Sequence, residues 1–392
     1  MQRAQRPIVA RPPQSLPFES SIRALGLGEP VDLGGGLAAI PVLAPERGWD
    51  PVDARLFTDS PPAGVEITEV NGGTVPVLHV RNGSDAPLFL VAGQLMRGGR
   101  QIWGLDADAL VSAGTTIDLP ATQVWSLDMA PCSATALLSV IGIEPSHVRS
   151  LKHGDVSDRR RRSAEGSMRQ SLNVLTARPE LSEHPSLQWI AADQDAVRQA
   201  IAGFSYAVRL RDTRRKLRES CAAVEAAIQG IWPQAVDGRS HHPMAALPPC
   251  NDRIGVLFFL DGTFLGGDLF ASIPWSAAIE PALVRAVSVS RDFARARTEE
   301  FFRESEMFAL LMGFQGGGRS RFAGSDRLLE IAQVIVGDVL HGPWSDGAEV
   351  GAERCMVLAH PYLQATATAD GNGRLLHLQL NATRPSWLFA LN

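Results

Sequence analysis

Arg97-Gly98-Gly99-Arg100-Gln101 holds the residue types in this chain best suited to gripping an anion. Each guanidinium offers a planar fork of donors that matches phosphate or carboxylate oxygens. The glycine pair lets a ligand approach the backbone. Gln101 adds two donors and an acceptor. The competing reading is a bulge or turn whose arginines pair with acidic neighbours such as Asp106 or Asp108. Asp268, which follows Gly266-Gly267, is a further candidate. Aspartate is also an ordinary turn residue, so its presence alone does not make a site.

Other strings with chemical potential read more simply. Gly203-Phe204-Ser205-Tyr206-Ala207 has the outline of a nucleophile elbow, but that motif needs a strand before the serine, and the preceding pattern is helical. His241-His242 lies near Cys250 without further ligands at a recognised metal spacing. Gly316-Gly317-Gly318-Arg319-Ser320-Arg321 could wrap a phosphate, yet lacks the Lys-Ser/Thr ending of a P-loop and reads as a loop. Arg159 to Arg162 form a basic run with no interleaved aromatics for base stacking, so it reads as a solvated linker. None of these strings supplies a catalytic residue, and neither a metal nor a cofactor is expected.

These residues must be positioned by the elements around them. Short apolar runs punctuated by Asn, Gly, Asp and Pro predict strands at 37–43, 64–69, 75–80, 87–92, 101–105, 115–119 and 122–127. Asp53 to Phe57 reads as a helical turn. Val197, Ile201, Phe204 and Val208, then Leu217, Cys221, Val224 and Ile228, recur at helical spacing. Leu260-Asp261-Gly262-Thr263 predicts a type I′ hairpin. Helices are expected over about 278–312 and 328–339, and a closing hairpin from 355–369 and 374–381. The fold class is α+β, with an antiparallel, sandwich- or barrel-like N-terminal half. A helical middle follows, then a hairpin with helices in the C-terminal half. A partly ordered lead-in covers 1–34. One domain covers 35–392, divided into a β-rich part at 35–130, linker and helices at 131–250, and the remainder at 251–392.

The bulk numbers narrow the partners. The 392 residues are 45% hydrophobic and 20% charged, with a formal net charge of −5. That is the balance of a globular protein able to bury a sizeable core. It supplies no global basic field for nucleic acid. No run approaches the ~18 apolar residues of a membrane span. The start, Met1-Gln-Arg-Ala-Gln-Arg-Pro, lacks the apolar core of a signal peptide. The four cysteines form no CxxC pair and read as reduced thiols, so a cytoplasmic location is expected.

Several segments together resemble a family. Glu66-Ile-Thr-Glu69, the Gly72-Gly73 step, Val75-Pro-Val-Leu, Asn82 to Pro87, Gly93 to Gln101 and Val111-Ser-Ala-Gly-Thr are similar, in order, to the ARG-and-rhodanese-phosphatase-superfamily-associated protein domain, where ARG denotes ADP-ribosylglycohydrolase. Gly255 to Phe270 and Leu376-His377-Leu378 fit the same pattern, so the resemblance spans roughly 35–385. It implies a context of ADP-ribose or phosphate-related metabolism and lends no reaction. The chain departs from the pattern where acidic residues would follow Gly93, since Gln94 and Leu95 stand there. Ala121 and Gln123 replace a Cys and a Glu. Glutamines cannot supply a titratable group for acid–base work. The expectation is therefore an accessory protein binding a small anionic ligand, phosphorylated or nucleotide-like, through Arg97, Gly98, Gly99, Arg100, Gln101 and Asp268. The alternatives are an enzyme of nucleotide or ADP-ribose metabolism, or a module that binds a protein partner.

Overall fold

The computed structural model describes residues 18–44, 52–58, 61–70, 77–97, 101–126, 138–144, 149, 247–288, 290–291, 325–346, 351, 353–360 and 363–382. The helices expected over 193–231, the arginine run and the strings at 203–207, 241–242 and 316–321 lie outside these residues. Among the described residues no helix is long and apolar enough to cross a membrane.

The protein is α+β and β-dominated, and its sheets are antiparallel but for one short pairing. The largest sheet draws on both ends of the chain. Its spatial order is β1 (Gly26–Leu27), β3 (Leu37–Leu43), β13 (Arg253–Leu260), β14 (Thr263–Phe270), β18 (Leu375–Ala382), β17 (Leu363–Ala369), β16 (Arg354–Ala359) and β15 (Trp344–Asp346). β2 (Val31–Gly34) pairs with β3 on the side. A six-stranded half-barrel runs β12 (Ser139–Ile143), β8 (Gln94–Arg97), β9 (Gln101–Leu105), β11 (Thr115–Ser126), β6 (Val77–Asn82) and β5 (Val65–Glu69). A small sheet of β10 (Ala109–Val111), β7 (Leu88–Leu90) and β4 (Arg55–Leu56) completes the described strands.

The large sheet is the middle layer. One face carries Ile40 and Val42 of β3, Leu257 and Phe259 of β13, and Leu378 and Leu380 of β18. Against it lie α1 (Glu19–Arg23), through Ile22, and α3 (Ser325–His341). Leu328, Ala332, Ile335 and Val339 recur every three or four residues and form the buried stripe of α3. The small side chains Ala365, Ala367 and Ala369 of β17 lie in the same core. The other face carries Val256, Phe258 and Phe270 and packs on α2, residues 273–288, through Trp275, Ile279 and Leu283. Phe89, Val91 and Leu110, from around the small sheet, join that second core.

Several expectations hold. β3 and β9 have the predicted bounds, and Asp261 and Gly262 both take positive φ, 49° and 81°, as a type I′ turn requires. Others are corrected. Residues 53–57 hold a short strand instead of a helical turn. Arg55 N–H and Phe57 N–H donate to the Pro87 and Phe89 carbonyls at 2.8 and 2.9 Å, which draws the segment onto β7. The two strands expected at 115–119 and 122–127 are one strand, β11, running through Pro120. Its first half pairs with β6 and its second with β9. The segment 355–369 is two strands, β16 and β17. The C-terminal half holds the expected hairpin of β13 and β14, the helices and closing strands, and supplies six strands of the large sheet. Residues 18–34, the described part of the segment read as a partly ordered lead-in, hold α1, β1 and β2. The strands at 37–43 and 64–127 do not share a sheet, because β3 pairs with β13, more than 200 residues away. Local punctuation cannot report such a pairing.

Candidate functional site

The large sheet and the segment between β9 and β10 meet at a buried charged cluster. In an antiparallel sheet, directly opposed residues lie on one face. Phe270, His377 and Thr368 form one such row across β14, β18 and β17, and Asp268, Gln379 and Thr366 form the next. Asp108, just before β10, and Arg149, from beyond β12, reach this face. His377 is fully buried, and Asp268, Asp108, Arg149 and Thr368 are nearly so.

The geometry is a chain of donors and acceptors. His377 Nδ1 lies 2.9 Å from Asp108 Oδ2, and its Nε2 lies 3.1 Å from Asp268 Oδ1. A carboxylate only accepts, so both ring nitrogens must donate and the ring is an imidazolium. Arg149 grips Asp268 with both terminal nitrogens, Nη1 to Oδ2 at 2.9 Å and Nη2 to Oδ1. Asp108 also accepts from the Ala92 N–H at 2.7 Å and the Thr368 hydroxyl at 2.5 Å. The imidazole stacks on Phe270 with ring centroids 4.7 Å apart, and Phe89 meets its edge.

Two cations and two anions cancel. Burial alone pushes the His377 imidazole down, but the charge and hydrogen bond of Asp108, then those of Asp268, outweigh it and raise it to about 9. Burial pushes the Asp268 carboxyl up. The Arg149 charge and the hydrogen bonds of His377 and Arg149 outweigh this and hold it well below the usual carboxylate range. Asp108 is also held low: burial opposes ionisation, and the His377 charge, then its hydrogen bond and those of Ala92 and Thr368, favour it. All four carboxylate oxygens have a donor. Such an arrangement ties elements together, because a lone charge at this depth would be costly. Among the described residues no group of His, Cys, Asp or Glu is arranged to hold a metal ion.

β8 runs from this cluster toward the anion-binding candidate. Gly93, at φ 83°, faces the stem of Arg149, and a Cβ there would come within 3.1 Å of Arg149 Nε. Gln94 is fully buried. Its Oε1 accepts from the Val91 N–H at 2.9 Å, and its Nε2 donates to the Phe57 carbonyl at 2.5 Å. A carboxylate in this place could not make the second bond. Arg97, at the far end of β8, is exposed and opposes Ile102 of β9. Gln101 opens β9 opposite Ser126. Gly98, Gly99 and Arg100 lie outside the described residues. Asp268 is separated from Arg97 in character: it is buried and spent on Arg149 and His377.

Residues 25–124 match the ARG and Rhodanese-Phosphatase-superfamily-associated Protein domain. The matched domain includes Arg97 to Gln101, Gln94 and Asp108. Arg149, Asp268, Thr368 and His377 come from outside it, so the charged cluster joins the domain to the rest of the chain. The domain is also not closed on itself, since its β3 pairs with β13. Beyond residue 124 the resemblance drawn over 35–385 rests on 255–270 and 376–378 alone. No curated protein and no solved structure matches the chain.

The sequence singles out Asp268 as a candidate site residue but not the three charged residues that complete its cluster. His377 sits in Leu375-Leu-His-Leu-Gln-Leu-Asn-Ala382, an alternation that ordinarily marks a strand with one wet face. Asp108 was weighed only as a partner for arginines in the 97–100 turn. Arg149 carried no local signal.

Proposed function

We propose that this protein is a non-catalytic accessory factor that binds a phosphorylated or nucleotide-like small molecule at the connection between β8 and β9. The observation that supports this reading most is the contrast along β8. At its inner end Asp108, Asp268, Arg149 and His377 are buried and hold one another by hydrogen bonds and ion pairs. At its outer end Arg97 is exposed, in a string whose arginines suit an anion. Gln94, where an acidic residue would fit the family pattern, has taken a structural task between Val91 and Phe57. The domain's name connects it with ADP-ribosylglycohydrolase and phosphatase superfamilies, which favours ADP-ribose and related phosphates as ligands.

The test is calorimetry and thermal melting with ADP-ribose and with inorganic phosphate. The wild type should bind ADP-ribose and melt higher in its presence. Arg97→Ala and Arg100→Ala should each lose that shift while the unliganded melt stays within about 0.5 kcal/mol of wild type. A lowered unliganded melt in both variants would make the arginines structural. Absence of any shift in the wild type would refute the proposal.

A further inference from the structure

Residues 107–111, which include β10, form a short strap between the half-barrel and the large sheet. Its ends are tied to the half-barrel. Asp106 accepts from the Thr122 hydroxyl at 2.7 Å, and its N–H donates to the Pro120 carbonyl at 3.0 Å. At the other end Asn82 Nδ2 donates to the Val111 carbonyl at 2.9 Å. Between these ties the strap meets the C-terminal half through polar contacts. Asp108 accepts from His377 and from the Thr368 hydroxyl, and the Leu110 N–H donates to Glu353 Oε2 at 2.9 Å. Leu110 packs into the core shared with α2, while Ala109 and Val111 belong to the half-barrel's core. β10 is an edge strand whose described ladder partner is β7. β14 and β18, which carry Asp268 and His377, each lie between two paired neighbours.

This asymmetry decides where the charged cluster gives way when it loses a proton. A neutral imidazole has one N–H, so it can donate to only one of its two carboxylates at a time. Asp268 keeps the Arg149 guanidinium whichever tautomer forms. Among the described residues Asp108 has His377 as its cation and no other. The ionisable groups around the ring are Asp108 from the strap, Asp268 from β14, and Arg149 behind Asp268. Thr368 of β17 and the rings of Phe270 and Phe89 carry no charge. An ionised carboxylate at this depth without a counter-charge is unfavourable, and admitting water relieves it. Moving β14 or β18 would break two ladders. Moving the strap breaks its contacts with the C-terminal half and leaves its ties to the half-barrel in place.

We infer that residues 107–111 are a pH-released strap: when His377 loses its proton, the strap lets go of the large sheet while that sheet stays intact. The two carboxylates raise the ring from 6.5 to about 9, so the closed contacts are fully favoured below pH 6.5 and are lost as pH rises through 9. The strap is independent of the anion-binding reading, since the buried cluster and β10 carry it.

The experiment is hydrogen–deuterium exchange of the full chain at pH 6 and pH 9.5. Mass spectrometry reads peptides covering 107–111 and 375–382, each corrected for the intrinsic amide rate at that pH. Opening of the strap should rise about tenfold more than opening of β18. Asp108→Asn keeps an acceptor for the Ala92 N–H and offers an N–H of its own to the neutral ring, so in this variant the strap should exchange alike at both pH values. Equal acceleration of the two peptides would mean that the sheet itself unfolds, and would overturn the inference. So would a wild-type strap whose corrected exchange does not change with pH, or a pH response that persists in Asp108→Asn. Should that variant fail to fold, the two wild-type peptides still decide between strap release and sheet unfolding.

Discussion

The two faces of β18 are buried by opposite means. On one, Leu378 and Leu380 pack into the core shared with α3, where removal from water supplies the driving force. On the other, His377 is held between two carboxylates, and burial is tolerated only because each charge meets its opposite. The apolar face is forgiving, since apolar side chains of similar volume can replace one another. The charged face is all or nothing, since removing one member strands the rest. One strand thus carries a tolerant side, suited to stability, and an exacting side, suited to fixing how the domain at 25–124 sits on the sheet.

Asp268→Ala should have the largest effect. It leaves Arg149 and one side of His377 without an anion, so chemical denaturation should show a loss of about 3–5 kcal/mol. Arg149→Met combined with Asp268→Leu removes the pair together and should recover part of that loss. Next is the apolar face. Leu380→Ala should cost about 2–4 kcal/mol by opening a cavity, and Leu380→Met under about 1.5 kcal/mol. If Asp268→Ala were no worse than Leu380→Met, the charged face would be as forgiving as the apolar one. A third test is the pH dependence. His377 is raised from 6.5 to about 9 in the folded state, so its contribution is fully present below 6.5 and is lost as pH rises through 9. Asp268 and Asp108 are lowered, so theirs is present above about pH 4 and is lost as pH falls further. Melting temperature should therefore plateau between about pH 4 and 6.5 and fall gradually toward pH 9. In His377→Phe the alkaline fall should be absent.

The features legible in the sequence were those that neighbours in the chain decide. The run Leu37 to Leu43 is too apolar and too well bounded to be anything but a buried strand. Asp261-Gly262 meets the positive φ its turn demands. Leu328 to Val339 repeats at helical spacing. What was hidden depends on partners far away. Asp108 and His377 are 269 residues apart, and Arg149 and Asp268 are 119 apart. The alternation in β18 misled for a physical reason: a polar residue on a strand usually faces water, and only tertiary pairing shows that this one does not. The Arg97 to Gln101 string was visible because anion chemistry lies in adjacent residues.

His377 is a doubly bonded imidazolium locked between Asp108 and Asp268. Nitrogen-detected NMR of the ¹⁵N-histidine-labelled protein tests it most directly. At pH 7.5 both His377 ring nitrogens should carry protons sheltered from solvent exchange, and the ring should titrate near pH 9. A single protonated ring nitrogen at pH 7.5, or a titration close to 6.5, would contradict it.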